Sequence, residues 1–268
     1  MDPALLAVGL GALVGAALAL TGAGGGILAM PLLLLGLRLT VTQATPIALM
    51  AVGLSAALGA ALAFRHGRLR YRAAGLIGIS GLISAPLGTW VAHQLPVAAL
   101  TALFALVLAY VALRMIGEGR HPVPAPSAAA KLPCVIDPEE GRLQWTAPCA
   151  RALMRTGAVS GALSGALGVG GGFVIVPALH RYTDLATASV VATSLGVIAL
   201  VSASSVAVAA VSGVVLWSVA LPFTLGAALG MGLGSQAAGH LPPALLKQGF
   251  GALGLLAAAV LVARLPWP

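Results

Sequence analysis

Two glycine triplets set inside long apolar runs constrain this chain more than any other feature. The first lies in Thr21-Gly22-Ala23-Gly24-Gly25-Gly26-Ile27-Leu28-Ala29-Met30-Pro31. The second lies in Gly168-Val169-Gly170-Gly171-Gly172-Phe173-Val174-Ile175-Val176-Pro177. The triplets are 146 positions apart, and so are the prolines that follow them. Glycine is the poorest helix former after proline, so each triplet is expected to interrupt a helix. At membrane depth, unwound backbone is tolerated only where protein buries it or where it lines a cavity. Paired glycine interruptions in corresponding positions of two halves point to a transporter's binding site. Close helix packing is the competing explanation of the triplets.

The apolar runs are long enough to make this a membrane protein. Hydrophobic residues form 60% of the chain and charged residues 7%, where a soluble chain carries about 25% charged. Mean hydropathy is +1.05. The isoelectric point near 10.8 reflects basic loops between spans, which reads as membrane topology and excludes a nucleic-acid partner. The N-terminus carries Asp2 and no basic region ahead of its apolar run, so no cleavable signal is expected. Cys134 and Cys149 fall in the polar middle of the chain without a histidine pair, so they predict free cytosolic thiols and no metal site.

The pattern predicts an all-α polytopic bundle of about eight helices. The first runs over about 4–20 and resumes over 27–37. The others cover about 41–64, 72–92, 97–116, 151–167 with a resumption over 173–180, 186–210, 214–238 and 243–263. Residues 117–150 hold Pro122, Pro124, Pro126, Pro133, Pro138 and Pro148 and read as a polar cytoplasmic loop. Residues 1–116 and 151–268 are expected to be two pseudo-symmetric four-helix repeats. Gly11, Gly15, Gly22, Gly67, Gly88, Pro96 and Phe104 recur as Gly157, Gly161, Gly168, Gly213, Gly234, Pro242 and Phe250. Rows of small residues such as Gly157, Gly161 and Gly165, or Gly226, Gly230 and Gly234, suit close helix approach in lipid or a homodimer face.

With eight crossings, the basic residues divide eleven to three, with Arg38, Arg181 and Lys247 in the minority. Both termini and the central loop are then expected in the cytoplasm. Four crossings per half would relate the halves by an axis along the membrane normal. A glycine segment that doubles back as a re-entrant hairpin changes that geometry.

The expected interior carries no carboxylate. Asp2, Glu118, Asp137, Glu139, Glu140 and Asp184 all lie outside the predicted spans. A bare cation wants carboxylates or an oxygen cage, whereas an anion can be held by backbone N–H groups at a helix start. Helix starts after Gly24-Gly25-Gly26 and Gly170-Gly171-Gly172, brought together, would make such a site. Thr21, Thr45, Ser164, Thr193 and Ser194 supply hydroxyls nearby, each able instead to bond its own helix. His93 and His240, near helix ends, are the residues available for a proton relay. No cofactor or metal is called for, and no nucleophile–base pair or buried acid suggests an enzyme.

The glycine-rich segment, apolar stretch and proline, repeated in two four-helix units, resemble the sulfite exporter TauE/SafE family of membrane permeases. Gly168 to Phe173 through Val176-Pro177 is the more family-like copy. The resemblance spans the chain except the central loop. It implies export of sulfite, or of small organosulfur anions such as sulfoacetate, across the cytoplasmic membrane. Efflux of an anion from a cell negative inside is favoured by the potential alone, so uncoupled, electrogenic flux is expected. The alternative is a non-transporting membrane scaffold or assembly subunit that docks a partner through the central loop. A polar cavity at the two glycine breaks would favour the permease, and a closed interior the scaffold.

Overall fold

A computed structural model describes residues 3–22, 24–120, 132–137, 143–167, 170–211, 215–237 and 243–263. Ten α-helices carry the described chain. They are α1 (Pro3–Thr21), α2 (Gly24–Pro31, continued by a π turn Leu32–Gly36), α3 (Val41–Arg65), α4 (Tyr71–Gln94) and α5 (Val97–Arg120). The second set is α6 (Ala147–Leu167), α7 (Gly172–Tyr182), α8 (Thr187–Val211), α9 (Trp217–Ala237) and α10 (Pro243–Ala263). Six of them, α1, α3, α4, α5, α8 and α9, are long and apolar enough to cross a membrane. The bundle is therefore all-α and polytopic, as the sequence pattern predicts.

Lipid inverts the usual burial pattern. On α9 Leu221, Leu225, Leu229 and Leu233 are exposed, while Phe223, Ala227 and Met231 are buried. Leucine faces the hydrocarbon, and small residues bring backbones together inside. The glycine rows are the contact surfaces. A Cβ on Gly226, Gly230 or Gly234 would collide with Val8, Ala12 or Ala16 of α1, and one on Gly157, Gly161 or Gly165 with Ile77, Gly81 or Ala85 of α4. The rows expected to serve packing or a dimer face are thus occupied within the chain. Serine and threonine reinforce α4–α6: Ser84 Oγ donates to Ala158 O at 2.8 Å and Thr89 Oγ1 to Gly165 O at 3.2 Å. Such bonds in lipid contribute about 0.6 kcal/mol each.

The same contacts fix direction. Rising numbers pair with rising numbers in α1–α9 and α4–α6, so both pairs run parallel. Gly53 meets Ser202 and Gly59 meets Leu195, so α3 and α8 are antiparallel. Gly251 meets Ile116 and Gly254 meets Leu108, so α5 and α10 are antiparallel too. α2 turns back along α1, since Gly25 packs on Val14 and Leu18 and Gly36 on Leu10. α7 likewise returns along α6, bringing Tyr182 beside Pro148, Arg151 and Arg155 near the start of α6.

These hairpins change the topology expected above. Each glycine break reverses the chain, which gives each half an odd number of passes. α1 and α6 consequently run in opposite directions. The α3–α4 connection, the central segment and the α7–α8 turn share one end of the bundle. The starts of α1 and α3 and the end of α10 share the other. The described ends of α1 and α10 thus lie opposite the described part of the central segment, where eight crossings would place them together. The helices of one half pack mainly on those of the other, so neither half forms a body by itself.

The central segment also departs from an open loop with free thiols. Cys134 and Cys149 form a disulfide, and both are buried. The Cys134 N–H donates to Tyr182 O at 3.1 Å, and Ile136 N–H donates to the Asp184 carboxylate at 3.1 Å. The segment between α5 and α6 is thereby pinned across the mouth of the α6–α7 hairpin. Sequence spacing alone placed no such constraint on these residues.

Candidate functional site

The first break falls two residues ahead of its triplet, at Gly22, and the second within its triplet, at Gly170 and Gly171. Gly22, Gly170 and Gly171 adopt left-handed backbone, with φ of +71°, +75° and +66°. Only glycine takes that conformation without strain. Gly24, Gly25 and Gly26 form the first turn of α2, and Gly172 is the first residue of α7. Proline then sits at the end of α2 as Pro31 and inside α7 as Pro177. The helices restart at Gly24 and Gly172, earlier than the apolar residues Ile27 and Phe173.

The first break lies against α8, where Ser194 Oγ donates to Gly22 O at 3.1 Å and to Val191 O at 2.8 Å. Gly170 of the second break faces Val52 on α3 and Ile198 and Ser202 on α8. From Ser194 to Ser202 is eight residues of α8, roughly 12 Å along its axis. The two helix starts therefore do not converge on one point, contrary to the expectation from pseudo-symmetry. α7 runs along α8, whereas α2 packs on α1 and α3.

The hydroxyls predicted for the site divide into three groups. Thr21 Oγ1 donates to Ala17 O at 2.7 Å, which ties it to its own helix. Thr193 Oγ1 accepts the Arg70 N–H at 3.3 Å and so belongs to the α3–α4 connection. Thr45 is half-buried on α3. Ser194 is at the first break, and Ser164 is buried on α6 with its Oγ unpartnered. A buried hydroxyl without a partner needs a water or a ligand. The side chain of His93 and the whole of His240 lie outside the described residues.

Sequence reasoning missed Thr156, Ser160, Ser55, Ser202 and Thr224, all buried. Thr156, Ser160 and Ser164 recur every four positions and so form one stripe on α6. Ser160 Oγ donates to Gly171 O at 2.9 Å, joining that stripe to the second break. Ser55, Ser202 and Thr224 have unpartnered hydroxyls. The signal available in sequence was the 146-residue register. Leu10, Val14 and Leu18 stand where the second copy has Thr156, Ser160 and Ser164.

Among the described residues both breaks are close-packed. Gly25 packs on Leu18 and Val14, and Gly171 on Ser160. Two described clefts, of about 240 and 340 Å³, both lie at the central-segment end. Among the described residues no group of three or more His, Cys, Asp or Glu is placed to hold a metal. Glu118 falls in the last turn of α5, beyond the span 98–117.

A many-span bundle with two glycine-broken hairpins and a hydroxyl-lined, carboxylate-poor interior defines a membrane permease. The chain belongs to the sulfite exporter TauE/SafE family, whose model matches residues 7–261. It is similar to two probable membrane transporter proteins from strains of Xylella fastidiosa, Temecula1 and 9a5c. Each is 31% identical over 270 residues, covering 98% of this chain and 96% of the relative. No solved structure matches it significantly.

Proposed function

We propose that the chain exports a small oxyanion, sulfite or a related organosulfonate, across the cytoplasmic membrane, and that the α6–α7 hairpin carries the site. The observation that supports this most is the α6 stripe ending in the unpartnered Ser164 hydroxyl beside a left-handed glycine break. Hydroxyls and the N–H groups at the start of α7 suit an anion and offer a cation no counter-charge. Residues 1–116 and 151–268 are read as inverted repeats related by an axis in the membrane plane, the arrangement of many carriers. Substrate passage then requires the closed breaks to part. Of the Lys and Arg positions among the described residues, all but Arg38 belong to the central-segment end. By the basic-residue rule that end faces the cytoplasm and both termini face outward.

The test is flux in proteoliposomes offered sulfite, sulfoacetate, sulfate and chloride. A potassium-diffusion potential at zero pH gradient is expected to steer sulfur-anion flux. Each charge gains about 2.3 kcal/mol per 100 mV, more than a tenfold concentration ratio. Accumulation driven by pH alone would instead make His93 and His240 the residues to replace. The closed packing at both breaks is the observation that favours the second reading, a scaffold docking a partner through the central segment. Absence of flux for every anion would select it.

A further inference from the structure

The mouth of the α6–α7 hairpin differs in side chains from that of the other hairpin. A cleft of about 240 Å³ opens there, lined by Pro148, Arg151, Ala152, Arg155 and Tyr182. Arg151 and Arg155 stand one turn apart on α6, and both are exposed. Arg151 Nε donates to Ala147 O at 3.3 Å, which holds that side chain along its helix. Among the described residues no carboxylate lines the cleft. The nearby Asp184 carboxylate accepts the Ile136 N–H. In the 146-residue register the corresponding positions of the first hairpin are Leu5, Gly9 and Gly36, without charge or hydroxyl. Two copies that match in glycines and prolines thus differ where a charged solute would first arrive.

We propose that this cleft is a capture site for a doubly charged oxyanion, separate from the hydroxyls inside and feeding the hairpin it caps. The inference rests on the anion-permease reading above. Guanidinium groups bind oxyanions through paired, charge-assisted hydrogen bonds, and Tyr182 adds a phenolic donor. The volume equals roughly eight waters at their liquid share, which accommodates an oxyanion with part of its hydration shell. The surplus of arginine at this end of the bundle raises the local anion concentration and speeds encounter. The stripe Thr156, Ser160, Ser164 begins one residue beyond Arg155 and continues inward. Capture at the mouth and release along uncharged hydroxyls keeps the anion from being held too tightly within.

The experiment uses the full-length protein in nanodiscs. Its melting temperature is followed against sulfite, sulfate and chloride at constant ionic strength, for wild type, R151Q/R155Q and R151K/R155K. Wild type is expected to show saturable stabilisation by the divalent anions. The apparent affinity should fall roughly tenfold in the Gln variant and partly recover in the Lys variant, as for an exposed charge-assisted contact. In proteoliposomes with sulfite presented at the central end, KM should rise by a similar factor with kcat within about twofold, and the salt dependence should flatten. The anion-free melting temperature reports whether each variant folds. Equal sulfite affinity and KM in wild type and the Gln variant would overturn the capture site while leaving the permease standing. Arginine-dependent sulfite binding by a wild type that moves no anion would do the reverse.

Discussion

The two hairpins share a backbone design and differ in side chains. Gly25 packs on Val14 and Leu18 of α1, and its counterpart Gly171 packs on Ser160 of α6. One hairpin lines its turn with hydrocarbon and ends at Leu5 and Gly9. The other lines it with Thr156, Ser160 and Ser164 and ends at Arg151, Arg155 and Tyr182. The lower apolarity of α6 keeps it off the set of helices apolar enough to span by composition, although it pairs closely with α4. Duplication supplies a scaffold twice over. In the reading proposed above, divergence leaves the chemistry on one copy, whose α6 packs on α4, while α1 of the apolar copy packs on α9.

The largest effect should come from filling the turns. A leucine at Gly171 meets Ser160 and must also adopt φ of +66°. Overpacking costs about 1–3 kcal/mol and left-handed backbone about 1–2 more. Gly25→Leu meets the α1 backbone and Leu18 without the second penalty. Both variants should reach the membrane fraction, because leucine inserts readily. Gly171→Leu should lose monodisperse protein on extraction, and Gly25→Leu should lose less. Equal, wild-type melting of both would show that the turns are not close-packed.

The next effect tests the division of labour. Giving the second hairpin the side chains of the first, as Thr156→Leu, Ser160→Val and Ser164→Leu, preserves a packing the chain already uses. Thr156 Oγ1 bonds Ala152 O of its own helix, so the loss at Ser160 and Ser164, at about 1.4 kcal/mol each, predicts flux lower by roughly a hundredfold. Melting should fall by only a few degrees. Leu18→Ala in the first hairpin makes the converse case. A cavity there costs about 2–4 kcal/mol of stability, with KM for the anion unchanged. A variant set in which flux simply follows melting temperature would remove the distinction between the hairpins.

The helices were legible because span length, glycine, proline and charge act locally. α3 starts at Val41 and α5 at Val97, as the pattern predicts. Direction was not legible. Whether a glycine break continues or reverses a helix depends on what packs beside it, here Val14 and Leu18 against Gly25. That single ambiguity changed the parity of the passes and moved the central segment to the opposite end from the termini. The proposed site was legible only in part: it takes in Ser164 and the glycines named from sequence, whereas Thr21 bonds its own helix. Thr156 Oγ1 also bonds its own helix, at Ala152 O, whereas Ser160 reaches Gly171 O and stands where the first copy has Val14. The Cys134–Cys149 pairing needed the return of α7 to the start of α6.

The smallest effect on transport, and the one that orients the molecule, concerns that disulfide. It closes a separation of 15 residues, a loop whose cross-linking contributes about 3 kcal/mol in the chain-entropy picture. That stabilisation applies to the segment over the mouth, and the apolar hairpin has no counterpart. Cys149→Ser should therefore lower the protease resistance of the central segment while leaving flux within about twofold. The same two sulfurs report the compartment. A central end that faces the cytoplasm, the side proposed from the basic residues, places this buried bond in a compartment whose thiol pool keeps cysteines reduced once local opening admits it. Cells quenched in acid and alkylated should then yield both cysteines modified, and an N-terminal epitope should be protease-sensitive from outside intact cells. An unmodified, bonded pair together with a protected epitope would reverse the orientation. Arg151 and Arg155 would then face the exterior, and the cleft they line would receive an anion arriving from outside the cell.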